Sequence, residues 1–145
     1  MPSARVDPVS SEFRQAARGL LASPGGDGDS PKQVAERATQ VCDRLARHLA
    51  RLLGDIGIQT LLKRSIVLAS AEFPWLPTGP TPESPSATLR LALEQQDAES
   101  ITEAFVAVLS AFVGLLERLI GSGLVERLLD EVWPDVFPHP SKDTP

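Results

Sequence analysis

The sequence predicts an all-α fold, a single-domain helical bundle. Three observations lead there. Apolar residues recur at helical spacing in several stretches. No stretch shows the strand alternation that hairpin turns would join. Ser-Pro, Asp and Gly stand where such stretches should start and stop. At 145 residues and 42% hydrophobic content, the chain is long enough to bury one core. The organisation reads as an N-terminal segment over 1–29, a bundle over 30–134 and a tail over 135–145.

The elements follow in order. A first helix is expected from about Glu12 to Leu21, with Phe13, Ala16, Ala17, Leu20 and Leu21 on one face. Ser10 or Ser11 can cap it. Being short, it needs packing to persist. The Pro, Gly and Asp residues of 23–29 read as a flexible linker. Ser30, Pro31 and Gln33 then form a strong start signal, a capping box with proline in the first turn. Val34, Ala38, Val41, Leu45, Leu49 and Leu52 carry the apolar stripe of this second helix, and Gly54 is placed to end it in the left-handed region.

A third helix should begin at Asp55, bury Ile58, Leu61, Leu62, Ser65, Leu68 and Ala69, and stop before Pro74. The Phe73–Pro77 stretch is expected to run extended and 77–86 to form a mobile loop. Ser84 and Pro85 open a short helix, Asp97 caps a long one over Ala98–Ile120, and Gly121 ends it. A last helix runs from about Gly123 to Trp133, where Pro134 stops it. The tail from Phe137 should fray.

Shifted by 67 positions, the chain aligns with itself. Arg51-Leu-Leu-Gly54 falls on Arg118-Leu-Ile-Gly121, and Val34, Ala38, Val41, Leu45 and Leu49 fall on Ile101, Phe105, Val108, Phe112 and Leu116. Two readings stay open. The chain is either two duplicated helical hairpins around a buried central helix, or simply two leucine-rich hairpins that align. The central helix would be 98–120, where Ala107, Ser110, Ala111 and Gly114 allow close helix approach.

Charge and composition exclude several function classes. A net charge of −5 argues against generic nucleic-acid binding, which needs a basic field. The charge is uneven, with +2 over residues 1–53 and −7 over 54–145. The longest apolar run, Ala104 to Leu116, is shorter than the roughly 20 residues a membrane-spanning helix needs, so no membrane span is expected. The first 21 residues carry too many charges for a signal peptide, and one cysteine makes no intramolecular disulfide. The expectation is a cytoplasmic protein. Eleven Arg against three Lys, with abundant Ala, Leu and Pro and no Asn, suggest a high-GC bacterial genome.

Catalytic chemistry finds little support. Cys42 lies on the apolar side of its helix with no histidine near it in sequence, as an inert buried thiol would. His48 lacks the lysine and glycine-containing turn that follow the histidine of helical phosphotransfer modules, and His139 sits between two tail prolines. Glu126, Asp130 and Glu131 read as a solvated acidic face. The acidic residues of 25–29 lack calcium-loop spacing. No enzyme activity, metal or other cofactor is expected.

Two features point to partner binding. Arg37, Arg44 and Arg51 recur every seven residues along one line of a helix, with Arg47 and His48 beside them. They would suit an acidic partner, unless Glu94, Asp97, Glu99 and Glu103 lie opposite and screen them. Phe73 and Trp75 form an aromatic cluster that either meets a partner or folds back as a lid on the bundle. The expected function is therefore a non-enzymatic protein–protein interaction or regulatory module of a bacterial cytoplasmic system. A protein partner is expected, and homodimerisation through an apolar face stays open. The alternative is a helical sensor that binds an apolar small molecule inside the bundle.

Overall fold

The computed structural model describes residues 11–21, 30–78 and 85–133. The linker over 23–29, most of the proline-rich loop, His139 and the tail lie outside the described residues, so the expectations placed on them stand as stated. Five helices make up the described chain: α1 (Ser11–Gly19), α2 (Pro31–Ala69), α3 (Pro85–Leu93), α4 (Ala98–Ile120) and α5 (Ser122–Val132). No strand occurs among the described residues. The fold is all-α, with its helices packed around one core.

The local start signals operate as the sequence predicts. The Ser30 Oγ accepts from the Gln33 backbone N–H at 3.2 Å, and the Gln33 side chain accepts from the Ser30 N–H at 2.9 Å. Asp97 accepts from the Ser100 N–H at 2.8 Å. Both contacts satisfy amide groups that a helix start leaves without intrahelical partners.

Gly54 interrupts α2, dividing it into a first half over 31–53 and a second half over 55–69. Its φ is 80° and its ψ 160°; Gly121, between α4 and α5, has φ 91° and ψ 149°. Positive φ agrees with the expected glycine, but the high ψ does not describe a left-handed helix cap. It swings the next peptide so that a new helix starts at once, leaving one non-helical residue at each corner. This is a region of backbone space open essentially to glycine alone.

α4 is the buried centre. Ile101, Phe105, Val108, Phe112, Val113 and Leu116 are all almost fully enclosed. α2 supplies the largest share of its surroundings, with α1 and α5 also packed on it. The residues that align at the 67-residue shift are buried in both halves, Val34 through Leu49 as well as Ile101 through Leu116. Two helices that share one core would show this pattern with or without a duplication.

Several contacts fix how α2 and α4 run. The end of the α1 segment reaches both helices: Arg37 donates to the Leu21 carbonyl at 3.1 Å, and Arg18 pairs with Glu103 at 2.9 Å. Further along, Cys42, Leu45 and Ala46 line the same crevice as Val108, Leu109 and Phe112. α3 lies along the early part of α2, with Ala87, Arg90 and Glu94 beside Lys32, Thr39 and Asp43, and leads within a few residues into α4. The first half of α2 and α4 therefore share a direction, which brings the Gly54 and Gly121 corners to one end of the bundle.

Three local expectations need correction. Leu52, placed on the apolar stripe of the second helix, is 52% exposed, whereas the short α1 finds the packing it needs, with Phe13 and Ala17 fully buried. Leu68 is exposed and Ile66 is buried instead. At 100° per residue, Leu68 lies about 115° around the helix from the middle of the face formed by Ile58, Leu62, Ile66 and Ala69. The 73–76 stretch is a turn and does not run extended: the Leu76 N–H donates to the Phe73 carbonyl at 2.9 Å, and Leu76 is buried.

Candidate functional site

The predicted partner-binding residues separate into three places. Arg37 is half-buried and holds the chain after α1 through the Leu21 carbonyl. Phe73 and Trp75 pack against the core, their rings edge to face at 6.1 Å and 71°. This is the lid arrangement, in which one aromatic edge meets another's face. Arg44, Arg47, His48 and Arg51 do come together. They line an open cleft of about 320 Å³ whose opposite wall is Glu131 and Val132 of α5.

Helical geometry builds this group. Residues 44 and 51 each stand three or four positions from both 47 and 48, so the four side chains share a face. The three arginines span roughly 10 Å along the axis, at 1.5 Å per residue. The opposite face buries Val41, Leu45 and Leu49 in the core, which fixes the arginines outward. His48 Nε2 lies 2.9 Å from Glu131 Oε1 and ties α5 to α2 at the floor of the cleft.

The acidic residues expected to screen the arginines are engaged elsewhere. Glu94 pairs with Arg90, Glu103 with Arg18, and Asp97 caps α4. The two hydrogen bonds from Ser100 hold the Asp97 carboxyl below its ordinary value. Glu99 is exposed. Among the described residues, Arg44, Arg47 and Arg51 make no ion pair. An unpaired guanidinium keeps its planar fork of donors ready for a carboxylate or phosphate.

Glu131 is the site residue that sequence reasoning missed. The sequence groups it with Glu126 and Asp130 on a solvated acidic face, but Glu126 is buried and Glu131 reaches a histidine 83 positions earlier. The only sequence signal was its place in the last turn of the final helix, one residue before the end of α5.

No second kind of chemistry gathers at this site. Burial, with the Asp43 charge beside it, pushes the Cys42 thiol up to about 12, so the thiolate is absent at neutral pH. Among the described residues, no three His, Cys, Asp or Glu side chains are grouped to hold a metal. The apolar crevice lined by Cys42, Leu45, Ile58, Leu62 and Phe112 offers about 10 Å³, room for one water molecule at most. It gives the sensor reading no support. Among the described residues, no helix is long and apolar enough to cross a membrane.

No protein-family model, no curated protein and no solved structure matches the chain.

Proposed function

We propose that the chain is a non-enzymatic protein–protein interaction or regulatory module of a bacterial cytoplasmic system. It docks an acidic segment of a protein partner on the cleft between α2 and α5. One observation carries the reading: Arg44, Arg47 and Arg51 line this cleft and make no ion pair among the described residues, while Glu131, the carboxylate that lines it with them, pairs with His48. A chain of net charge −5 has ample acid to screen three arginines, yet Glu94, Asp97 and Glu103 are committed to a cap and to other pairs. Carboxylates repeating at helical intervals on a partner would meet the arginines one for one. The interaction would be steered electrostatically and weakened by salt.

Affinity capture from the host's soluble extract tests this, comparing the wild-type chain with Arg44→Glu/Arg47→Glu. Both arginines are exposed, so the variant should keep its helicity. Proteins retained by the wild type should be lost by roughly ten-fold or more in the variant and released by added salt. The same proteins retained equally by both would refute the reading.

A further inference from the structure

The cleft between α2 and α5 contains its own competitor for the arginines. Glu131 lines it together with Arg44, Arg47 and Arg51, and its side chain is half exposed. Its ion pair among the described residues is with His48, whose Nε2 stands 2.9 Å from Oε1. A carboxylate has no proton to give, so the imidazole donates through Nε2 and Glu131 accepts.

The helix sets rivals for this carboxylate on both sides of the histidine. Arg44 stands four residues before His48 and Arg51 three after it, so their Cβ atoms lie about 5–6 Å from that of His48. An arginine arm is longer than that gap. A guanidinium also offers a carboxylate a planar fork of donors, which an imidazole lacks. A Glu131 side chain that leaves His48 is therefore within reach of a guanidinium, and an arginine so engaged is neutralised toward any other acid. In the structure the carboxylate stays on the half-buried imidazole, and all three arginines remain exposed and outside any ion pair among the described residues. A short ring gives up less rotamer freedom to make this contact than a long arginine arm would.

We propose that His48 is a positioning residue that holds Glu131 off the arginines and so keeps the cleft open. Without that hold, Glu131 pairs with Arg44 or Arg51 and closes the cleft from within the chain, an autoinhibitory contact. The consequence for an acidic partner rests on the docking proposed above. The hold itself involves this chain alone and is tested without a ligand.

NMR of the arginine Nε–H groups in the full chain provides the test, with the signals of Arg44, Arg47 and Arg51 assigned by single Arg→Lys substitutions. In the wild type all three should exchange with water at the rate of an unpaired guanidinium. In His48→Ala at least one should shift and exchange several-fold more slowly. Alanine suits a helix, so circular dichroism should be unchanged. Adding Glu131→Gln to His48→Ala should restore the wild-type rate. Unchanged exchange in His48→Ala overturns the proposal. So does slowing that persists in the double variant, because the carboxylate would then play no part in it. Soluble polyglutamate reads the consequence for docking: its Kd should rise roughly two- to five-fold in His48→Ala, the worth of one exposed ion pair, and recover in the double variant. The predicted exchange pattern without polyglutamate binding in any variant would uphold the hold and count against the docking reading alone.

Discussion

The helix pair over 31–69 and the pair over 98–132 turn on the same backbone break and use it in opposite surroundings. At both corners one glycine of positive φ and high ψ separates two helices. Yet α4 is enclosed by its neighbours until its last turn, where Leu119 is exposed, whereas the first pair leaves Leu52, Ile56, Val67 and Leu68 in solvent and presents a line of arginines. The difference teaches that the break is a property of the local chain, while burial depends on which helix the others pack around. α4 takes the centre because its apolar residues extend almost around the helix. α2 is amphipathic and takes the periphery.

Removing the largest side chain at the centre should break this comparison most severely. Phe105 aligns with Ala38, so Phe105→Ala gives α4 the residue its counterpart already carries. It should cost about 3–5 kcal/mol in denaturant unfolding, because a buried aromatic leaves a cavity in a core that relaxes only in part.

The corners offer a sharper test. Gly54→Ala and Gly121→Ala should each cost about 1–3 kcal/mol, and by similar amounts, because the penalty is backbone strain and no neighbour obstructs a Cβ at either site. A much larger loss at Gly121 would show that surroundings matter at the corners as well.

A smaller change of opposite sign is expected inside α4. The buried Ser110 hydroxyl has no hydrogen-bond partner among the described residues. Ser110→Ala should raise stability by about 1 kcal/mol, since the desolvated hydroxyl is unfavourable where it stands. A drop in stability would reveal a partner for the hydroxyl.

The last test concerns the first pair and is read against pH. The buried Cys42 thiol stays protonated to about 12, from an ordinary 9.0. Its folded-state value is raised, so its contribution is complete below pH 9 and is lost as pH rises from there toward 12, where the unfolded chain alone gains by ionising. Cys42→Ala should remove that part of the alkaline slope. A thiol reagent should label the native wild type only as fast as the protein opens.

Much of the fold was legible because its signals are local. The Ser30-Pro31-Gln33 box, the Asp97 cap and the two glycines act within a few residues of themselves, and each appears where the sequence puts it. The candidate site was legible in part. A spacing of three and four residues is enough to place Arg44, Arg47, His48 and Arg51 on one face of a helix. Their availability was not legible, because it depends on where Glu94, Asp97 and Glu103 find partners. The role of Glu131 was hidden for the same reason.

By itself, then, the sequence determined the helices, their start and stop residues, the apolar character of α4 and the arginine line, all of which follow from periodicity and short-range hydrogen bonding. Only the tertiary structure decided that α1 belongs to the core, that Trp75 folds back beside Phe73, that His48 meets Glu131 across the cleft, and that both glycine corners share one end. Each of these joins groups far apart in the chain. Their free energy depends on the packed geometry of several helices at once, which no local pattern of residues encodes.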